Sequence, residues 1–149
     1  MLKLYRKINS LPFGNRIFNL GVGLKAPFFR TIKPNVIKLE HSLCKVKMKE
    51  RWGIKNHIGT VNAGAMCTLA ELTGGLALDA TIPSDLRWIP KEMTVTYLKK
   101  GKGDLISTCE FDGSIVQEGN VILPVVLRDI LDQVVFKAEI TMYVTCKKT

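Results

Sequence analysis

The sequence predicts an α+β fold in which an antiparallel sheet wraps one long buried helix, and three observations carry that reading. Residues 56–82 form the longest apolar run in the chain; from 61 to 80 there is no proline, and Ala, Leu and Met dominate. Short runs of alternating apolar and polar residues flank it on both sides, as half-buried strands require. At 149 residues the chain is the size of one domain, long enough for one substantial core.

Taken in order, residues 1–23 read as a helical extension of that single domain, in two short pieces broken at Pro12 and Gly14. Leu2, Leu4, Tyr5, Ile8 and Leu11 give the first piece an apolar side. The stretch is basic and free of acid, so packing on the domain competes with contact at a membrane surface or a targeting role; it lacks the continuous apolar core and small-residue cleavage site of a secretory signal. Across 26–51 the pattern turns to strands: Val36, Ile37 and Leu39 form one run, and Val46 and Met48 alternate with Lys45, Lys47 and Lys49 in another. After the helix and a Pro83-Ser84-Asp85 turn, Met93, Val95 and Tyr97 alternate with Thr94 and Thr96, and 99–104 (KKGKGD) reads as a hairpin-like turn. Strands follow at 105–111 and 120–127, where Pro124 suggests an edge or a bulge, and over 134–144, which alternates along its whole length.

Composition narrows the function. With 46% hydrophobic and 23% charged residues, the chain is an ordinary globular one. The net charge of +9 is concentrated at the start: eight bases and no acid precede Glu40, leaving 14 bases against 13 acids in the rest. A nearly neutral body without a nucleic-acid-binding signature argues against a nucleic-acid partner. Cys44, Cys67, Cys109 and Cys146 are scattered, with no CxxC and no histidine at ligand spacing. They read as free thiols in a reducing compartment such as the cytoplasm, and no metal site is expected.

The chemistry concentrates on the central helix. At about 100° per residue, Gly64, Cys67, Thr68, Gly74 and Gly75 fall within about 60° of Glu71, so one carboxylate lies on a stripe of small residues where a backbone or ligand can approach. Glu71 and Asp79 also argue against a membrane span. Asn62 is a good N-cap, which leaves the first N–H groups, those of Ala63, Gly64 and Ala65, without intrahelical partners at the positive end of the dipole. An oxygen carrying developing negative charge would be stabilised there. Glu71 is nine residues from Asn62, roughly 13 Å along the axis, so one subunit cannot bring both to one atom. Two antiparallel copies can.

Asn56, Gly59-Thr60, Asn62-Ala63-Gly64 and Leu69-Ala70-Glu71, followed by 93–104 (MTVTYLKKGKGD), resemble the hot-dog-fold acyl-CoA thioesterases of the phenylacetate-pathway type, and most nearly a less characterised branch with NHIGT and LAEL motifs. The resemblance implies a hot-dog domain, an acyl-CoA substrate, coenzyme A only as part of that substrate, and a homodimer or homotetramer. It implies that Glu71 is general base or nucleophile, that Ala63 and Gly64 supply the oxyanion N–H groups, and that Asn56 positions water or carbonyl. Lys99, Lys100 and Lys102 would hold coenzyme A phosphates. Asn62 stands where that family has a histidine and Ala63 where it has a glycine, so a mechanism needing an imidazole there is lost. Two rivals follow: a non-catalytic acyl-CoA or lipid-binding module, and a hot-dog dehydratase or hydratase, for which only His41 and His57 are available.

Overall fold

The computed structural model describes residues 1–147. Two helices come first, α1 (Leu2–Asn9) and α2 (Gly14–Lys25). Strands β1 (Asn35–Glu40) and β2 (Leu43–Met48) precede the central helix α3 (Ala63–Thr81), and β3 (Leu86–Tyr97), β4 (Leu105–Glu110), β5 (Gly119–Arg128) and β6 (Val134–Cys146) follow it. The six strands make one antiparallel sheet in the order β1-β2-β4-β5-β6-β3. Alternation sets its inner face: Val121, Leu123, Val125 and Leu127 on β5, and Phe136, Ala138, Ile140, Met142 and Val144 on β6, are all buried. Against that face lies α3, about 28 Å long, with Met66, Leu69, Leu72, Leu76 and Leu78 buried. Each of these leucines contributes about 2 kcal/mol by leaving water.

The predicted helix is present with its cap. Asn62 is the N-cap and its side chain accepts from the Gly64 N–H at 2.7 Å. The two N-terminal pieces are helices, the second running two residues past 23, and a 3-10 helix (Pro27–Ile32) separates it from β1. Asn15 Nδ2 donates to the Val36 carbonyl at 2.6 Å and Asn19 Oδ1 accepts from the Val36 N–H at 2.7 Å, so α2 satisfies the open edge of β1 with side-chain amides. Tyr5 and Phe18 stack edge to face, 4.8 Å between centroids, and both are buried.

Two expectations need correction. Residues 99–104 do not close a hairpin: β3 pairs only with β6, while β4 lies between β2 and β5. The segment instead crosses the start of α3, where the Gly101 carbonyl accepts from the Val61 N–H at 2.9 Å and a side chain at Gly101 would meet Met66 and Val61 at 3.3 Å. And β3 begins at Leu86, not near Met93, with an irregularity between Pro90 and Glu92 that lets proline sit in the strand. Pro124 is accommodated because β4 runs beside β5 only from Val125 to Arg128.

Candidate active site

Two clefts open beside α3, one near its middle and C-terminal half and one at its start. The first, about 690 Å³, is lined by Glu71, Leu72, Gly75 and Asp79 from α3, by Leu86, Trp88 and Pro90 from the first half of β3, and by Val22, Ala26 and Phe29 from the N-terminal region. The second, about 430 Å³, is lined by Asn56, Thr60, Ala63 and Met66, by Tyr97 at the end of β3, and by Leu98, Lys99 and Lys100 beyond it.

Glu71 and Asp79 are the two carboxylates of α3, and the structure treats them differently. Asp79 accepts from the Trp88 indole N–H at 2.8 Å, which fixes the ring across the cleft wall. Glu71 is half-buried and, among the described residues, has neither an ion pair nor a hydrogen-bond partner. It is a carboxylate free to act on something else. The small-residue stripe around it divides into two uses. Gly75 admits Trp88: a Cβ there would lie 2.8 Å from the indole edge. Gly74 instead faces the sheet, 3.3 Å from Ile140 and 3.6 Å from Val125, so it serves core packing. Only Gly64, Cys67, Thr68 and Glu71 remain on the less buried side.

At the helix start, the Ala63 and Ala65 N–H groups have no acceptor among the described residues, whereas that of Gly64 is taken by its Asn62 cap. Ala63 lines the cleft and is exposed, so its N–H is the donor presented there. Asn56 organises the preceding turn: its Oδ1 accepts from the Thr60 N–H at 3.0 Å and the Ile58 N–H at 3.2 Å, and its Nδ2 donates to Thr60 Oγ1 at 2.9 Å. Gly59 completes that turn at φ +77°, a conformation open to glycine and strained for side-chain-bearing residues. Lys99 and Lys100 reach this cleft, Lys99 donating to Gln133 Oε1 at 2.5 Å, while Lys102 lies outside it. The loop that carries them is held by carboxylates. Asp104 pairs with Lys47 at 2.9 Å and accepts from the Glu50 N–H, and Glu50 pairs with Lys55 and accepts from the Gly103 N–H. The hydrogen bond from Lys47 holds the Asp104 carboxyl below its usual range, and that from Lys55 does the same for Glu50. Tyr97 shares a hydrogen bond with Cys67 Sγ at 3.2 Å, which, with desolvation, pushes its phenol up to about 12.

The predicted residues therefore fall into two groups within one chain: Glu71 in one cleft, and Asn56, Ala63, Lys99 and Lys100 in the other. Sequence reasoning missed Trp88, Asp79, Phe29 and Tyr97. The Gly74-Gly75 pair, one turn beyond Glu71, was the available signal for a bulky neighbour there. Neither histidine lines either cleft, and among the described residues no cluster of His, Cys, Asp or Glu is arranged to hold a metal ion.

One sheet curled around one long helix, with this strand order, defines the chain as a hot-dog-fold protein, and solved structures agree. It is similar to a structural-genomics target over 97% of both chains, with 38% identity and a TM-score of 0.85. It is also similar to a Pseudomonas aeruginosa protein of unknown function described as a probable thioesterase, at 25% identity over 92% of this chain and 97% of that one, with a TM-score of 0.80. A Staphylococcus aureus thioesterase shares the fold at 16% identity, over 80% of this chain and 99% of that one, with a TM-score of 0.73. Residues 14–144 match the family described as a domain of unknown function, DUF4442, and the chain belongs to that family. No curated protein matches it.

Proposed function

We propose that the protein hydrolyses an acyl-CoA thioester at a site shared between two antiparallel copies, as a homodimer or a dimer of dimers. One observation carries the reading: the free carboxylate and the free helix-start N–H open into separate clefts at opposite ends of the same edge strand. Leu86, Trp88 and Pro90 border the Glu71 cleft and Tyr97 borders the Ala63 cleft, with β3 unpaired along its outer side. Pairing two β3 edges about a two-fold axis sets the Glu71 cleft of one copy against the helix start of the other. The probable-thioesterase description of the 25% identical Pseudomonas aeruginosa protein supports the same class.

In this arrangement the acyl chain lies against Val22, Phe29, Leu72, Leu76 and Trp88, and the coenzyme A phosphates lie near Lys99 and Lys100. Glu71 takes a proton from water as the water attacks the thioester carbonyl, or attacks it directly to give an anhydride that water then opens. The Ala63 N–H of the other copy receives the oxyanion. Collapse expels the thiolate, leaving a carboxylic acid and free coenzyme A. A dehydratase mechanism finds no histidine in either cleft. A binding module without turnover is the second reading, favoured by the capping of Gly64, which leaves a single N–H donor facing the cleft.

The test is Glu71→Ala. Thiol release should fall by about 10²-fold or more while acyl-CoA binding persists. An unchanged rate removes the hydrolase reading, and a wild type that binds acyl-CoA without releasing thiol selects the module.

A further inference from the structure

Helix α2 is apolar on two opposite faces, and the domain uses only one. Phe18 and Val22 point into the core. On the other side Ile17, Leu20 and Leu24 fall within an arc of about 60° at 100° per residue and are 50%, 59% and 63% exposed, and Phe13, the N-cap residue, is 73% exposed. Leu4 and Leu11 in the preceding segment and Phe28 after the helix are exposed as well. Single exposed apolar residues need no explanation, but an aligned row along about two turns of helix does.

The segment that carries this row, residues 1–39, holds charge of one sign, and only Lys38 at its end pairs with an acid among the described residues, Glu40 at 3.4 Å. Lys3, Arg6, Lys7, Arg16, Lys25, Arg30, Lys33 and Lys38 are all exposed, and no acid occurs before Glu40. Arg16 sits over the Phe13 ring at 5.7 Å, a base held at the rim of the apolar row. A second copy bringing the same face would set bases against bases. Nucleic acid offers nothing to the apolar row. A protein partner would have to supply a groove, because the row is a convex helix surface.

We propose that the outer face of α2, with the basic residues of α1 and the following segment, docks on the surface of an anionic lipid bilayer. The apolar row enters the acyl boundary and the bases meet the headgroup charge, which supplies the two signals stable attachment needs. The helix lies in the surface and does not cross it: among the described residues no helix is long and apolar enough to span a membrane. Val22 on the opposite side of the same helix and Lys25 on its flank line the Glu71 cleft, so docking would bring that cleft close to the lipid phase. The proposal stands independently of hydrolysis and is tested without substrate.

The experiment is co-sedimentation of the full chain with vesicles of phosphatidylcholine alone or with about 30 mol% phosphatidylglycerol. Wild type should sediment with the anionic vesicles, and its partition should fall about tenfold or more in Ile17→Ser/Leu20→Ser/Leu24→Ser. Raising salt from about 0.1 to 0.5 M should weaken binding, as should Lys3→Gln/Lys7→Gln/Lys33→Gln, which leaves every apolar side chain and the Arg16–Phe13 contact in place. Circular dichroism checks that each variant is folded, and the salt series requires no variant. Three results would overturn the proposal: no sedimentation of wild type with anionic vesicles, equal binding by the folded serine variant, or equal binding to neutral vesicles. A wild type that ignores vesicles but self-associates through this row would overturn it in favour of a second copy.

Discussion

Ala63→Pro removes the proposed oxyanion donor with little else. Residue 63 is the first of α3, the position where proline is best tolerated because its missing N–H has no intrahelical partner. Asn62 before it has φ −63° and ψ 139°, the extended conformation that a following proline requires. The cap from Asn62 to the Gly64 N–H is unaffected. Folding stability should therefore be unchanged or raised by up to about 1 kcal/mol, through restriction of the unfolded chain. Turnover is a different matter, since loss of one oxyanion donor costs roughly 10²–10³ in kcat, about 3–4 kcal/mol of transition-state stabilisation. The assay is free-thiol release from acyl-CoA at saturating substrate, alongside a thermal melt. A folded Ala63→Pro protein with an unchanged kcat would refute the assignment of this N–H. A destabilised one would refute the reading of the helix start.

Three further outcomes follow from the same geometry. Gly75→Ala gains about 1 kcal/mol in helix propensity but drives the rigid, Asp79-anchored indole of Trp88 away, an overpacking cost of about 1–3 kcal/mol; thermal melts should show it neutral to destabilised, with Trp88 fluorescence altered. Gly74→Ala comes within 3.3 Å of the terminal methyl of Ile140 and into ordinary contact with Val125 and Leu123, and should melt at or above wild type with Trp88 fluorescence unchanged. The carboxyls of Asp104 and Glu50 are held below their usual range, so their contribution is present above the unfolded carboxylate values near pH 4 and is lost as pH falls through the lower folded values. Asp104→Asn with Glu50→Gln should cost about 0.5–2 kcal/mol at pH 7, as half-exposed pairs do, and flatten the acid limb of a stability-against-pH curve.

The elements that local chemistry determines could be read from the chain alone. Asn62 capped where its side-chain oxygen predicted, and β6 alternated because its partners bury every second residue. What escaped was what distant segments decide. The glycines and lysines of 99–104 mark a turn, but whether the chain returns beside β3 or crosses the helix depends on β6 pairing with β3 while β4 pairs with β2 and β5. The first half of β3 was hidden because Pro90 breaks the strand pattern, and the bulge that accommodates it forms only against Met142 and Thr141. At the site, spacing along one helix was enough to separate Glu71 from Ala63. It could not show that Lys102 lies outside the cleft, that Asn62 occupies the Gly64 N–H, or that Gly74 belongs to the core.

The shared site is tested most directly by mixing two inactive proteins. Glu71→Ala lacks the carboxylate and keeps the helix-start N–H; Ala63→Pro lacks the N–H and keeps the carboxylate. If a site takes one group from each copy, exchange at equal amounts makes half the dimers mixed, and each of those carries one intact site and one doubly broken one. Thiol release should return to about a quarter of the wild-type rate per subunit. If both groups act within a single copy, no mixed dimer has an intact site, and a mixture as inactive as its components would contradict the account.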